Sequence, residues 1–84
     1  MAKERCIAEL TVEGQLFCRS VLIYDDGTGY RVDQYNKDRD EWYGYYLDHY
    51  PTLEEMAGLN FGLEVEDLYY NFKKHRWEGS HYIC

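Results

Sequence analysis

Four successive segments of the first half of the chain are rich in strand-forming residues, and apolar and polar residues alternate in the first and the third of them. The period of two is typical of strands with one buried face. The segments cover residues 5–12, 16–24, 30–35 and 41–47. Clusters of Gly, Asp and other turn-forming residues separate them, so we expect short connections between neighbouring strands. Short connections between consecutive strands predict an antiparallel meander.

The second segment, residues 16–24, is nearly continuous in its apolar residues and alternates only weakly. Such a run is typical of a central strand that is covered on both faces over part of its length. We therefore expect Leu22 to belong to the core. Replacing Leu22 with Ala should then cost about 2–5 kcal/mol of the free energy of unfolding.

The periodicity changes at Pro51. This residue cannot donate to a strand ladder, and Thr52 followed by Glu55 is the sequence pattern of a capping box. A short helix is therefore predicted to begin after Thr52 and to end near Gly58.

A second helix is predicted after Gly62. The apolar positions there are spaced i, i+3, i+4 and i+7, and they are Val65, Leu68, Tyr69 and Phe72. Acidic residues precede this pattern and basic residues follow it, which is the polarity that the helix dipole favours. Residues 77–83 form either a short closing strand or an ordered tail. The predicted fold class is α+β: a small antiparallel meander sheet of about four strands, followed by two helices packed on one face.

Length and composition limit the organisation of the chain. Eighty-four residues suit a single domain, residues 1–84, and 45% hydrophobic residues with ten tyrosines supply a core. No apolar run approaches the roughly 20 residues of a membrane span, and none at the N-terminus has signal-peptide length. Three widely spaced cysteines fit reduced thiols better than a disulfide framework. We therefore expect a cytoplasmic location and no membrane contact.

The net charge of −7 is concentrated in the middle of the chain. Between Asp25 and Asp67 there are twelve acidic residues and three basic ones. The same region holds most of the tyrosines, from Tyr30 to Tyr50. Aromatic side chains are enriched at interface hot spots, and carboxylates around them attract a basic partner. The predicted partner-binding residues are Asp33, Tyr35, Asp38, Asp40, Glu41, Trp42, Tyr43, Tyr45 and Asp48.

This pattern predicts a small, non-enzymatic protein-binding module, an inhibitor or adaptor of a basic partner. Direct binding of nucleic acid is not expected, because the aromatic region is depleted of Lys and Arg. The composition is similar in charge to that of small acidic inhibitors from phages and mobile elements, which oppose host defences by imitating nucleic acid. A nucleic-acid-processing partner is therefore expected. The alternative is an assembly subunit with a tyrosine-rich homo-oligomeric interface, in the simplest case a homodimer.

Other classes of function have less support in the sequence. Residues 52–68 resemble a helix-turn-helix segment, but acidic residues at the start of its second helix would repel DNA phosphates. No nucleotide-binding or nucleophile motif is present. His75, His81 and Cys84 are close in sequence without forming a recognised ligand pattern. We therefore predict no catalytic residues, no cofactor and no metal.

Overall fold

The computed structural model describes residues 4–83, and in this part of the chain six strands form one sheet that carries a single α-helix. The strands are β1 (Arg5–Gly14), β2 (Cys18–Asp25), β3 (Tyr30–Asn36), β4 (Glu41–Leu47), β5 (Leu68–Asn71) and β6 (Arg76–Ile83). The helix α1 is Leu53–Leu59, and a 3-10 turn spans Val65–Asp67. The strand order across the sheet is β4-β3-β2-β1-β6-β5.

The first four strands form the antiparallel meander expected from the alternation. After β4 the chain crosses one face of the sheet as α1 and reaches the opposite edge as β5. Strand β6 then pairs antiparallel with β5 and parallel with β1, so the sheet is mixed. The two edges of the sheet are consequently β4 and β5.

The predicted fold class is therefore wrong in the number of strands and helices. The segment expected to be a second helix contains the 3-10 turn and β5, and residues 72–75 connect β5 to β6. A short aromatic run fits the helical and the strand periods equally well, and pairing with β6 decides between them. The resemblance to a helix-turn-helix ends at the first helix for the same reason.

One face of the sheet, the helix face, carries the core. It is defined by Leu10 of β1, Val21 of β2 and Val32 of β3, which are buried in one hydrophobic cluster with Met56 of α1. Leu10 is paired with Val21, and Val32 is paired with Ile23, the next residue of β2 on the same face. The helix begins with the predicted capping box, in which the Thr52 side chain accepts from the Glu55 amide. This cap satisfies an amide that would otherwise lack a partner at the helix terminus.

The opposite face, the open face, is defined by Glu9, Leu22 and Asp33 in one cross-strand row. Strand β2 is central, as expected, but Leu22 lies on this face and is only partly buried. Its neighbours Val21 and Ile23 are the buried residues of the strand. The expectation that Leu22 anchors the core was wrong, because within residues 4–83 the α-helix packs on the opposite face of the sheet from Leu22.

The hairpins β3–β4 and β5–β6 share a sequence pattern, Tyr-Asn, four turn residues, one charged residue, then Trp-x-Gly. The pattern begins at Tyr35 in the first hairpin and at Tyr70 in the second. The last turn residue is left-handed in both, with φ of 52° at Asp40 and 55° at His75. Two hairpins of the same local design therefore form the two edges of one sheet.

Candidate functional site

The nine predicted partner-binding residues lie on the β3–β4 hairpin and just after it, but not on one face. Asp33, Tyr35 and Trp42 lie on the open face, whereas Glu41, Tyr43 and Tyr45 lie on the helix face. Asp38 and Asp40 are in the turn, and Asp48 follows β4. The hairpin gathers these residues at one edge of the sheet, and β4 divides them between its two sides.

Strand β4 is an edge strand with exposed aromatic side chains on both sides. Trp42 and Tyr46 project from the open face with exposed fractions of 62% and 66%, and Tyr43 projects from the helix face with 52%. Tyr46 was not among the predicted partner-binding residues. Strand alternation places it on the same face as Trp42, so the signal that could have identified it was present in the sequence.

The main chain of β4 also presents unpaired groups. The Lys37 amide donates to the Cys18 carbonyl at 2.9 Å, which directs Lys37 toward β2. The main-chain amide and carbonyl of successive residues point to opposite sides of an antiparallel strand. The residues of β3 whose main-chain groups point toward β4 are therefore Tyr30, Val32, Gln34 and Asn36. Their partners there are Glu41, Tyr43, Tyr45 and Leu47. The main-chain groups of Trp42, Gly44 and Tyr46 therefore point away from the sheet.

On the open face, two aromatic rings and a carboxylate form one unit. The rings of Tyr35 and Trp42 stack across the strands, with centroids 4.4 Å apart. The Tyr35 hydroxyl donates to Asp40 Oδ1 at 2.8 Å, and this hydrogen bond raises the pKa of Tyr35. Stacking fixes the ring positions, and the hydrogen bond fixes the position of the Asp40 carboxylate at the turn.

On the helix face, a second tyrosine holds a second carboxylate. The Tyr43 hydroxyl donates to Glu41, and this contact raises the pKa of Tyr43. Beside it, Gln34 Nε2 donates to the Leu59 carbonyl at 2.8 Å and so links β3 to the end of α1. Burial raises the pKa of Tyr45, whose hydroxyl accepts from the same Gln34 amide at 3.4 Å. Tyr35 and Tyr43 thus position carboxylates of the same hairpin, whereas Tyr45 contacts the Gln34 amide.

The other end of β4 carries an acidic cluster around one histidine. His49 lies between Asp48, 2.8 Å from its Nδ1, and Glu55, 2.7 Å from its Nε2. These contacts raise the pKa of His49 and lower the pKa values of Asp48 and Glu55. Since Glu55 is also the capping-box residue of α1, the histidine connects the end of β4 to the helix start.

Carboxylates therefore lie at both ends of an aromatic edge. Asp38, Asp40 and Glu41 are at the turn end, and Asp48 and Glu55 are at the other. The basic residues 73–76 belong to the β5–β6 hairpin at the opposite edge of the sheet. The carboxylates at the turn end of β4 lie beside Lys37 and Arg39, so the end near Asp48 and Glu55 is the more acidic of the two.

A cleft of about 330 Å³ opens on the helix face beside this edge. It lies between Arg19 of β2, Tyr43 of β4 and Phe61 after the helix. Asn60 also lines the cleft and is buried, and its side-chain amide donates to the Leu10 and Arg19 carbonyls at 3.2 Å each, which compensates for the loss of water. The cleft contains neither a histidine nor a cysteine among its lining residues.

The histidines near the C-terminus do not approach each other. His75 is in the β5–β6 turn, whereas His81 is near the far end of β6, 3.6 Å from Asp67. Cys84 lies outside the described residues. Within residues 4–83, no three His, Cys, Asp or Glu side chains converge as a metal site would require.

The comparisons with known proteins give no relative from which a function could be transferred. No protein-family model matches the chain, and no curated protein or solved structure is significantly similar to it. Among the described residues, no helix has both the length and the apolar character needed to cross a membrane.

Proposed function

We propose that this protein is a non-enzymatic protein-binding module that binds a basic partner along the β4 edge. The observation that carries the proposal is that this edge combines unpaired main-chain groups, exposed aromatic side chains and carboxylates. Outward main-chain groups at Trp42, Gly44 and Tyr46 lie among exposed aromatic side chains, with carboxylates at both ends of the strand. Exposed strand edges of this kind accept an extended segment of another chain as an additional strand.

The charge of the edge favours a foreign partner over a second copy of the chain. A two-fold antiparallel pairing of two β4 strands centred on Gly44 would place Asp40 of one copy opposite Asp48 of the other. Like charges directly opposite each other destabilise a strand pair. A basic segment would instead meet opposite charge at both ends. The homo-oligomer therefore remains the second candidate, supported by the aromatic content of the edge.

The narrower prediction, imitation of nucleic acid, stays a prediction outside this proposal. A phosphate-like row needs carboxylates in a continuous line, and here an aromatic segment separates the two acidic ends of β4. An anti-defence role against a nucleic-acid-processing enzyme is compatible with strand addition and needs no such row.

The first test is affinity capture from host extract, followed by titration of the purified partner. The variant carries Asp38→Asn, Asp40→Asn and Glu41→Gln, which preserve acceptors for the Tyr35 and Tyr43 hydroxyls. Asn also tolerates the left-handed backbone at position 40. We expect its affinity to fall about tenfold at low ionic strength and less at high ionic strength, because salt screens the lost attraction.

The matched control removes the same charge away from β4, with Glu13→Gln, Glu64→Gln and Glu66→Gln at exposed positions. The control should bind as the wild type does. Equal binding by all three proteins, shown to be folded by circular dichroism, would contradict the proposal. Self-association measured by sedimentation discriminates the homo-oligomer, because added salt should strengthen pairing between two acidic edges and weaken binding of a basic partner.

A further inference from the structure

We infer that the open face of β4 contains a notch for one Lys or Arg side chain of the added strand. The inference rests on the proposed function and deepens it by naming the residue type that the edge selects. The notch consists of Trp42 and Tyr46 as walls, Gly44 between them, and Asp33, the residue of β3 that is paired with Gly44, beside it. The occupant is an extended segment of a basic protein with a Lys or Arg directly opposite Gly44.

The spacing of the walls follows from the strand. Trp42, Gly44 and Tyr46 are alternate residues on one face, so the outer two Cα atoms are about 13–14 Å apart. Both aromatic side chains are mostly exposed, and the stack on Tyr35 holds the indole in place. Because Gly44 has no side chain, the space between the rings is open down to the sheet.

A carboxylate lies directly beside this open space. A Cβ atom at Gly44 would be 3.7 Å from Asp33 Oδ1, which is an ordinary contact distance. Asp33 Oδ1 has no hydrogen-bond donor among the described residues. Asp33 Oδ2 is 3.4 Å from Arg31, but Arg31 makes its shorter contact, 2.6 Å, with Glu4. Asp33 Oδ1 thus lies next to the notch, while Asp33 Oδ2 has only the longer contact with Arg31, whose shorter contact is with Glu4.

Strand addition would bring the cation to this position. The outward amide and carbonyl of Gly44 pair with the residue opposite, whose side chain then projects from the same face of the sheet. Cβ atoms of directly opposite residues are about 4.5–5.5 Å apart, so the stem of that side chain would pass over Gly44. A Lys or Arg head group there meets an indole face, a phenol ring and the Asp33 carboxylate, a combination that stabilises a cation.

The test uses defined peptides, so it does not depend on identifying the natural partner. The peptides are eight residues long, alternate Thr and Val, carry uncharged polar ends, and have Lys, Arg, norleucine or Glu at one central position. Binding is followed by amide chemical shifts of Trp42, Gly44 and Tyr46 and by the indole N–H. We expect the Lys and Arg peptides to bind roughly tenfold more tightly than the norleucine peptide, within the range of cation–π and ionic contributions.

Two variants locate the preference. Gly44→Ala fills the notch without a clash and should remove the preference for Lys and Arg, as should Asp33→Asn in part. The control is Gly58→Ala, where an added Cβ meets nothing within 4 Å, and this variant should keep the preference. Persistence of the full preference in Gly44→Ala would overturn the inference.

The remaining outcomes separate this inference from the proposed function. Peptides that shift the β4 amides with no preference for a cation would refute the notch and leave the edge as a binding site. No shift at Gly44 with any peptide would refute strand addition at this position. The titration of the partner against the variant at Asp38, Asp40 and Glu41 tests the proposed function separately, because it uses neither the peptides nor the variants at Gly44 and Asp33.

Discussion

The hairpins β3–β4 and β5–β6 share a sequence pattern and a turn, yet one forms an exposed surface and the other forms part of the core. In the first, Tyr35 and Trp42 stack on the open face. In the second, Tyr70 and Trp77 pair on the helix face, where Trp77 packs against the core. The same Tyr–Trp cross-strand pair therefore has two roles, and the side of the sheet it faces decides which.

The register in which each hairpin pairs with β1 or β2 decides which face of the sheet its Tyr–Trp pair occupies. Tyr35 is paired with Ser20 of β2, whose neighbour Val21 is buried, so Tyr35 has to face away from the core. Trp77 is paired with the buried Ala8 of β1 and therefore faces the helix side. Local sequence defines the hairpin in both cases, whereas pairing with distant strands defines which face its Tyr–Trp pair occupies.

The largest difference in stability between the two hairpins is expected when their tryptophans are replaced. We expect Trp77→Ala to cost about 3 kcal/mol of the free energy of unfolding, because the indole packs on core residues and on Tyr70. Trp42→Ala should cost about 1 kcal/mol, the value of its stack on Tyr35. Urea unfolding of both variants measures the contrast, and similar losses at the two positions would mean that the faces have been assigned wrongly.

The second-largest difference in stability is expected at the glycines of the shared pattern, Gly44 and Gly79. A Cβ at Gly79 would approach Leu68 Cδ2 to 2.6 Å and the Asp67 carbonyl to 3.3 Å, since this glycine is paired with Leu68 of β5 and shares the helix face with it. Gly79→Ala should therefore cost about 1–3 kcal/mol through overpacking. Gly44→Ala, with its nearest contact at 3.7 Å, should change stability by less than about 0.5 kcal/mol. A thermal shift of equal size in both variants would contradict this assignment.

The hairpins also show how far the sequence could predict the fold. Strands β1 to β4 and the cap at Thr52 follow from alternation and turn residues, which are local signals. Strand β5 does not, because its four residues are stabilised by pairing with β6, and β6 depends in turn on β1 at the other end of the chain. The shared pattern at Tyr35 and Tyr70 was a usable signal for a second hairpin that the helical spacing concealed.

The candidate site was predictable as a region and not as a surface. Composition located the aromatic and acidic residues on the β3–β4 hairpin, but it could not show that β4 is an edge strand. That property depends on β5 and β6 adding to the far side of β1, which leaves Gly44 and Tyr46 at a free edge. The role assigned to Gly44 follows only from its position between two exposed aromatic side chains.

The asparagines of the shared pattern should give the smallest difference in stability. Asn71 Oδ1 accepts from the amides of Lys73 and Lys74 at 3.0 and 3.1 Å, and its Nδ2 donates to Glu78. Asn71→Ala should therefore cost about 1 kcal/mol. Asn36 Oδ1 is buried without a hydrogen-bond partner in the described part of the chain, so Asn36→Ala should be close to neutral. Urea unfolding at neutral pH compares the two variants.

Replacing the asparagine with Ala should change the pH dependence of stability in the β5–β6 hairpin and not in the β3–β4 hairpin. Hydrogen bonds from Asn71, Tyr69 and Arg76 lower the pKa of Glu78 to about 2. A carboxyl group whose pKa is lower in the folded state stabilises the fold above its ordinary pKa, and this contribution is lost as the pH falls toward 2. Because Asn71→Ala removes the largest of these contributions, the pKa of Glu78 should rise toward its ordinary value, and the loss should be complete at a higher pH. Carboxyl carbon chemical shifts of Glu78 measure the midpoint. Asn36→Ala should leave it unchanged, and an unchanged midpoint in Asn71→Ala would show that Tyr69 and Arg76 hold the carboxylate without the asparagine.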